Sequence, residues 1–157
     1  MDSFSTIPAS MNQDSYIDPN FPLIDLHRHL DGAIRIETVL ELAEEKGIDL
    51  PANNLEELRP HIVIDGKADG LMDFIGRFQW LTAVLTDLDA CRRVAYENVE
   101  DALGEGIDYV ELRFSPIFMA EPHGLQAEGV VEAVADGIKA AERDTGVRAQ
   151  MIGIMSR

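Results

Sequence analysis

Cysteine is nearly missing from these 157 residues. The one thiol, Cys91, cannot close an internal disulfide and lies in a helical pattern, which fits a reducing compartment and a core role. Basic residues are scarce as well: Lys and Arg number 13 against 29 Asp and Glu, a formal net charge of -16. Such a surface repels nucleic-acid phosphates and anionic membranes, so neither is expected as a partner. The acids are spread along helices rather than gathered in one run, and the charge therefore reads as solubility. No apolar run reaches membrane-spanning length, and the amino terminus lacks the basic start and hydrophobic centre of a signal peptide. The expected address is the cytoplasm. A phosphate-cradling glycine loop is absent, and a lone cysteine excludes metal sites that need a Pro-Cys-x-x-Cys pair. What remains is a soluble globular chain of one domain's length with a core of ordinary size.

Met1 to about Asn20 is rich in Ser, Asn, Asp and Pro without periodicity, and residues 1–20 are expected to be a flexible leader. The informative stretch follows: Leu23-Ile24-Asp25-Leu26-His27-Arg28-His29-Leu30-Asp31-Gly32. A short apolar run with strand character leads into two histidines two positions apart. Side chains alternate faces along a strand, so His27 and His29 point the same way and both can reach one metal ion. Imidazole suits zinc, with iron, cobalt and nickel as lesser choices. A bare His-x-His on a strand is commonly inert; the buried-looking strand, with a carboxylate at Asp31 and a turn at Gly32, is what favours a site. The plain role of Asp31 is a turn or a helix cap.

Beyond it, Ile36, Val39, Leu40 and Ala43 recur at helical spacing up to Lys46, where Gly47 ends the helix in a left-handed conformation. Residues 51–70 are mixed, with a short helical piece at Leu55 to Leu58, an Ile62-Val63-Ile64 run and an Asp65-Gly66 turn. A second helical region starts near Asp69, with Leu71, Phe74, Ile75 and Phe78 on one face and Trp80, Leu81, Val84 and Leu85 continuing. Core packing is its plain account. Leu88 to Gly104 carries Val94, Ala95, Asn98, Val99 and Leu103 at helical spacing, stopped by Gly104 and Gly106. Ile107 to Phe114 is a strand finished by Ser115-Pro116, on which Glu111 and Arg113 share a face and are expected to form a scaffold ion pair. Val130 to Arg143 is an amphipathic helix, with Val130, Val131, Val134, Ile138 and Ala141 inward, ended by Thr145-Gly146; Gln150 to Met155 is a third strand. This order predicts an α/β fold with a parallel sheet. His61 and His123 each follow a proline in turn-like surroundings and are expected to be exposed loop residues rather than metal ligands.

The run His27-Arg28-His29-Leu30-Asp31-Gly32-Ala33-Ile34-Arg35 closely resembles the amino-terminal signature of the adenosine deaminase family, zinc hydrolases of the amidohydrolase superfamily built on a (β/α)8 TIM barrel. Tyr109-Val110-Glu111-Leu112-Arg113-Phe114-Ser115-Pro116 is similar to that family's second barrel strand and its exit. The resemblance runs from about Phe21 to the last residue. It implies that residues 21–157 are the amino-terminal part of a single metal-dependent deaminase barrel domain. About three parallel strands with intervening helices are present and the barrel is incomplete, since closure takes eight strand-helix units and about 250 residues. The implied activity is zinc-dependent hydrolytic deamination of adenosine and 2'-deoxyadenosine to inosine and deoxyinosine in purine salvage, with one Zn2+ per complete active site and a small nucleoside as the partner. On this resemblance His27 and His29 hold zinc, His29 and Asp31 lie against the sugar, and Leu71, Phe74 and Phe78 form a hydrophobic lid over the purine. The other zinc ligands, a later histidine and a late aspartate, and the acid and base residues are expected beyond Arg157. Two alternatives stand beside it: a sister amidohydrolase acting on adenine or another aminopurine, and a catalytically inert fragment. Nothing in the sequence sets the oligomeric state.

Overall fold

A computed structural model of the chain describes residues 21–64 and 70–155, without the side chains of 71–75; the expected leader lies outside these residues. Three strands, β1 (Ile24–His29), β2 (Tyr109–Phe114) and β3 (Arg148–Gly153), form one parallel sheet in the order β1-β2-β3. Parallel neighbours need long crossovers, and helices supply them. Between β1 and β2 come α1 (Ile36–Lys46), α2 (Leu55–Ile62), α3 (Leu71–Ala83) and α4 (Leu88–Gly104); between β2 and β3 come α5 (Pro116–Ala120) and α6 (Ala127–Thr145). The expected α/β architecture with three parallel strands is what forms.

Local signals explain most boundaries. Asn54 and Asp87 cap α2 and α4 by accepting from the amides of Glu57 and Ala90 at 2.9 and 2.8 Å, which satisfies donors that a helix start leaves unpaired. Gly47, at φ 66°, closes α1 with its amide turned back to the last carbonyls, as its sequence position predicts. Several expectations shift, β3 among them, which runs Arg148–Gly153 rather than Gln150 to Met155. α2 runs on through Pro60 to Ile62, taking in His61, and Arg77 of α3 donates to the Pro60 and Val63 carbonyls at 2.8 and 2.7 Å, which ties down its end. Leu103 is exposed rather than inward, while its neighbour Ala102 is the residue of that turn that is buried. Ser115-Pro116 does not simply finish β2: Ser115 accepts from the Phe118 amide and Pro116 opens α5, a pairing of cap and first-turn proline that favours a helix start.

The core lies between the sheet and the α4–α6 pair. Val94, Ala95 and Val99 of α4 meet Val130, Val134, Ile138 and Ala141 of α6, all buried, against Val110, Leu112 and Phe114 of β2. Cys91 is buried in α4; burial, with Asp87 beside it, pushes its thiol up to about 11, so it stays protonated at neutral pH. The outer strands are not covered alike. Ile24 and Leu26 on β1 and Met151 and Ile152 on β3 are exposed, as strands with one open edge leave them. Among the described residues no helix is long and apolar enough to cross a membrane.

The segment after β1 is fastened to α4. Thr38 donates to the buried Glu97 carboxylate at 2.6 Å, Arg93 bridges Glu97 and Glu41, and Arg35 reaches Glu100 and Asp101 at 2.7 and 2.6 Å. Asn98, itself buried, donates to the Ala33 carbonyl at 3.1 Å. These contacts hold the turn that follows His29 against a rigid helix.

Candidate functional site

The carboxyl end of β1 carries His27 and His29, and a 3-10 turn over Leu30–Gly32 follows at once. Strand alternation puts the two rings side by side, with centroids 5.2 Å apart and planes inclined by 53°. The strand is not regular. Its pairing with β2 skips one residue between Asp25 and Arg28, a bulge that takes in Leu26 and His27. Asp25 pins the irregularity by accepting from the His27 amide at 3.1 Å and from Arg28 at 3.0 Å. Burial works against the Asp25 charge, but these two donors prevail and hold its carboxyl below the ordinary range. Arg28 is drawn aside to Asp25 and Glu105, leaving the two imidazoles as the polar groups of this strand end.

Asp31 sits behind them and is buried. Its Oδ1 has no hydrogen-bond partner; His29 Nδ1 is 3.6 Å away, too far for a hydrogen bond. Burial raises the Asp31 pKa, against the opposing pull of His29 and Arg113. Oδ1 held this way lacks a donor, and a ligand hydroxyl would supply one.

Beside His29 opens a cavity of about 380 Å³, lined by Gly32, Ala33, Ile34, Ile62, Val63, Ile64, Arg77, Phe78 and Leu81. Phe78 stands edge-on to His29 at 6.4 Å, and a Cβ on Gly32 would lie 2.9 Å from the Phe78 ring. Glycine is thus what lets α3 close down on the turn. Of the three expected lid residues, Phe78 lines this cavity with His29, while the side chains of Leu71 and Phe74 lie outside the described residues. The Ile62-Val63-Ile64 run also lines it.

Two other histidines are not part of this constellation. His61 is exposed on α2. His123 lies after α5, and its Nε2 is 3.0 Å from the Thr82 carbonyl, a tie between that segment and the end of α3. Glu111 and Arg113 do not pair as expected: Glu111 accepts from the Tyr109 hydroxyl at 2.9 Å, while Arg113 reaches across to His27, with Nη1 2.6 Å from Nε2. Sequence reasoning missed this role of Arg113 because it depends on the β1–β2 register, which sets His29 opposite Arg113.

Two neighbouring imidazoles fit as part of a metal's ligand set, and a buried carboxylate oxygen without a donor lies next to them. Among the described residues no group of three or more His, Cys, Asp or Glu could hold a metal ion. A catalytic zinc takes at least about three protein ligands, so His27 and His29 could supply only part of such a set.

Residues 22–157 match the family model described as adenosine deaminase. The chain belongs to the adenosine deaminase family. It is 60% identical over 141 residues to the adenosine deaminase of Edwardsiella ictaluri, an overlap of 90% of this chain and 42% of that one. The chain thus spans about two fifths of the length of the curated relatives it matches. An adenine deaminase from Arthrobacter aurescens superposes with a TM-score of 0.74 at 28% identity, over 84% of this chain and 39% of that one. An amidohydrolase from Burkholderia ambifaria with bound Zn gives 0.69 at 28% identity, over 84% and 35%. The open three-stranded sheet is accordingly the amino-terminal portion of a (β/α)8 barrel of the adenosine deaminase family.

Proposed function

We propose that this chain supplies the first metal ligands and part of the substrate pocket of a zinc-dependent hydrolase that deaminates adenosine and 2'-deoxyadenosine to inosine and deoxyinosine, a reaction of purine salvage. The observation that carries the reading is the pair His27 and His29, rings 5.2 Å apart at the end of β1, opening onto the Phe78-lined cavity in a chain of this family. Residues 21–157 are read as the first part of one barrel domain, with 1–20 a leader. The substrate is a small nucleoside, and the strongly acidic surface disfavours nucleic acid and membranes as partners. The cytoplasm is the setting proposed for it.

In this reading His27 and His29 hold one zinc ion per complete site. Zinc supplies Lewis acidity and lowers the pKa of water to about 7, so that a nucleophile exists at neutral pH. The chain's own residues do the rest of what is visible. Asp31 accepts from a sugar hydroxyl, which satisfies its lone Oδ1, and His29 borders the same end of the cavity. Phe78, with Leu71 and Phe74 proposed beside it, covers the apolar base and excludes water, where electrostatic interactions strengthen. The groups that protonate the purine and orient the nucleophile are placed on segments beyond Arg157.

The likeness to an adenine deaminase motivates a second reading, in which the substrate is a free aminopurine. Asp31 separates the two, since adenine has no sugar hydroxyl to offer it. The test replaces the matching segment of the Edwardsiella ictaluri enzyme with residues 22–157 and follows adenosine by its ultraviolet absorbance. Conversion to inosine is expected, with a loss of at least about a thousandfold in kcat/KM on His27→Ala or His29→Ala. Asp31→Asn should weaken turnover of adenosine and leave adenine untouched. A hybrid that prefers adenine, or histidine variants that keep full activity, would overturn the assignment.

A further inference from the structure

Arg113 is the one cation of β2 turned onto the candidate ligands, and it occupies an atom that a metal ion also needs. Its Nη1 lies 2.6 Å from His27 Nε2. A guanidinium has donors only, so His27 Nε2 must accept, and its lone pair is committed to the arginine. A metal ion bonds through the same lone pair. The nitrogen left to His29 is its Nε2, because His29 Nδ1 faces Asp31.

Building on the reading that His27 and His29 hold a metal, we infer that Arg113 is a gate on that site: it competes with the metal for His27 Nε2 and must swing away before the ion binds. The arginine is loosely invested where it is. Its Nε is buried without a partner, so the His27 contact is not one corner of a full network. It also has somewhere to go. Asp31 Oδ1 is buried without a donor and lies two positions beyond His29, which the β1–β2 register sets opposite Arg113. A guanidinium beside a divalent cation is repelled, whereas beside Asp31 it is attracted, so metal entry and the move to Asp31 reinforce each other. Such a gate slows metal loading, raises the cation concentration needed for it, and leaves Asp31 polarised once loading is complete.

The test is 15N NMR of the histidine side chains in the full chain, with zinc titrated into the parent, Arg113→Met and Arg113→Lys. Before zinc is added, parent His27 should carry its proton on Nδ1 with Nε2 as acceptor, and Arg113→Met should release this preference. Zinc should then shift His27 Nε2 and His29 Nε2, with a Kd at least about tenfold tighter in Arg113→Met than in the parent, because a like charge is removed. Arg113→Lys, which keeps the charge, should stay nearer the parent. Equal affinities in all three chains, or zinc bound at His27 Nδ1 with Nε2 still held, would overturn the gate and leave the metal reading intact. No response of either histidine in any chain would remove both. A parent His27 protonated on Nε2 refutes the gate without any variant.

Discussion

Gly137 is where the α4–α6 contact is closest. A Cβ built there would fall 2.3 Å from the backbone oxygen of Arg92 and 3.0 Å from the Ala95 Cβ. Neither obstacle can rotate away, so Gly137→Ala must push the two helices apart by close to an ångström. The residues around it, Val94, Val134, Ile138 and Ala141, are buried and lose contact as the gap opens. A gap of about 0.5–1 Å forfeits a quarter to a half of each dispersion well. Overpacking of this kind costs about 3 kcal/mol at the upper end of the usual range. Alanine in a helix interior returns about 1 kcal/mol relative to glycine. The net is a loss of about 2 kcal/mol, which for a chain of this size lowers Tm by about 4–8 °C. Gly129 on the same helix is the control, because its Cβ would meet only the flexible Leu88 side chain at 3.3 Å. Gly129→Ala should be neutral or mildly stabilising. Urea and thermal unfolding followed by circular dichroism compare the two. A Gly137→Ala chain as stable as the parent would refute the helix-contact argument, since propensity alone would then account for both sites.

Two further outcomes follow from the turn after β1. Gly32→Ala should displace Phe78, whose ring would lie 2.9 Å from the new Cβ; loss of the ring-current shift that Phe78 imposes on His29 in NMR spectra checks this, and an unchanged His29 spectrum would count against it. Asp31 bears on stability through pH. Because burial raises its folded pKa, the ionised carboxylate destabilises the fold at neutral pH, and the penalty disappears as pH falls below the unfolded value of about 3.9. Asp31→Asn should therefore be more stable than the parent at pH 7, with the gain shrinking as pH falls through the raised folded pKa and gone below the unfolded value of about 3.9. Denaturant midpoints across that range measure it, and a gain that grows on acidification would show that the carboxylate is stabilised rather than strained.

Local pattern carried a large part of the architecture. The period of Val39 and Ala43, the cap at Asp87 and the left-handed Gly47 are choices made by neighbours in sequence, and the helices they define stand where expected. The His27 and His29 pair was legible for the same reason, since strand alternation is a property of a few consecutive residues. α5 was also locally encoded, in Ser115 as a cap and Pro116 behind it, and was read instead as the end of a strand.

By itself the sequence determined the order of elements, their types and the shared face of the two histidines, because each depends on steric and hydrogen-bonding preferences within a turn or two. Tertiary structure alone decided what surrounds that face. Arg113 meets His27 from 86 positions away, Asn98 holds Ala33 from 65, and Phe78 packs over Gly32 across the α1–α2 segment. Those meetings rest on the bulged β1–β2 register and on how closely helices approach one another. Register and approach are set by burying many side chains at once, and no stretch of neighbouring residues carries that information.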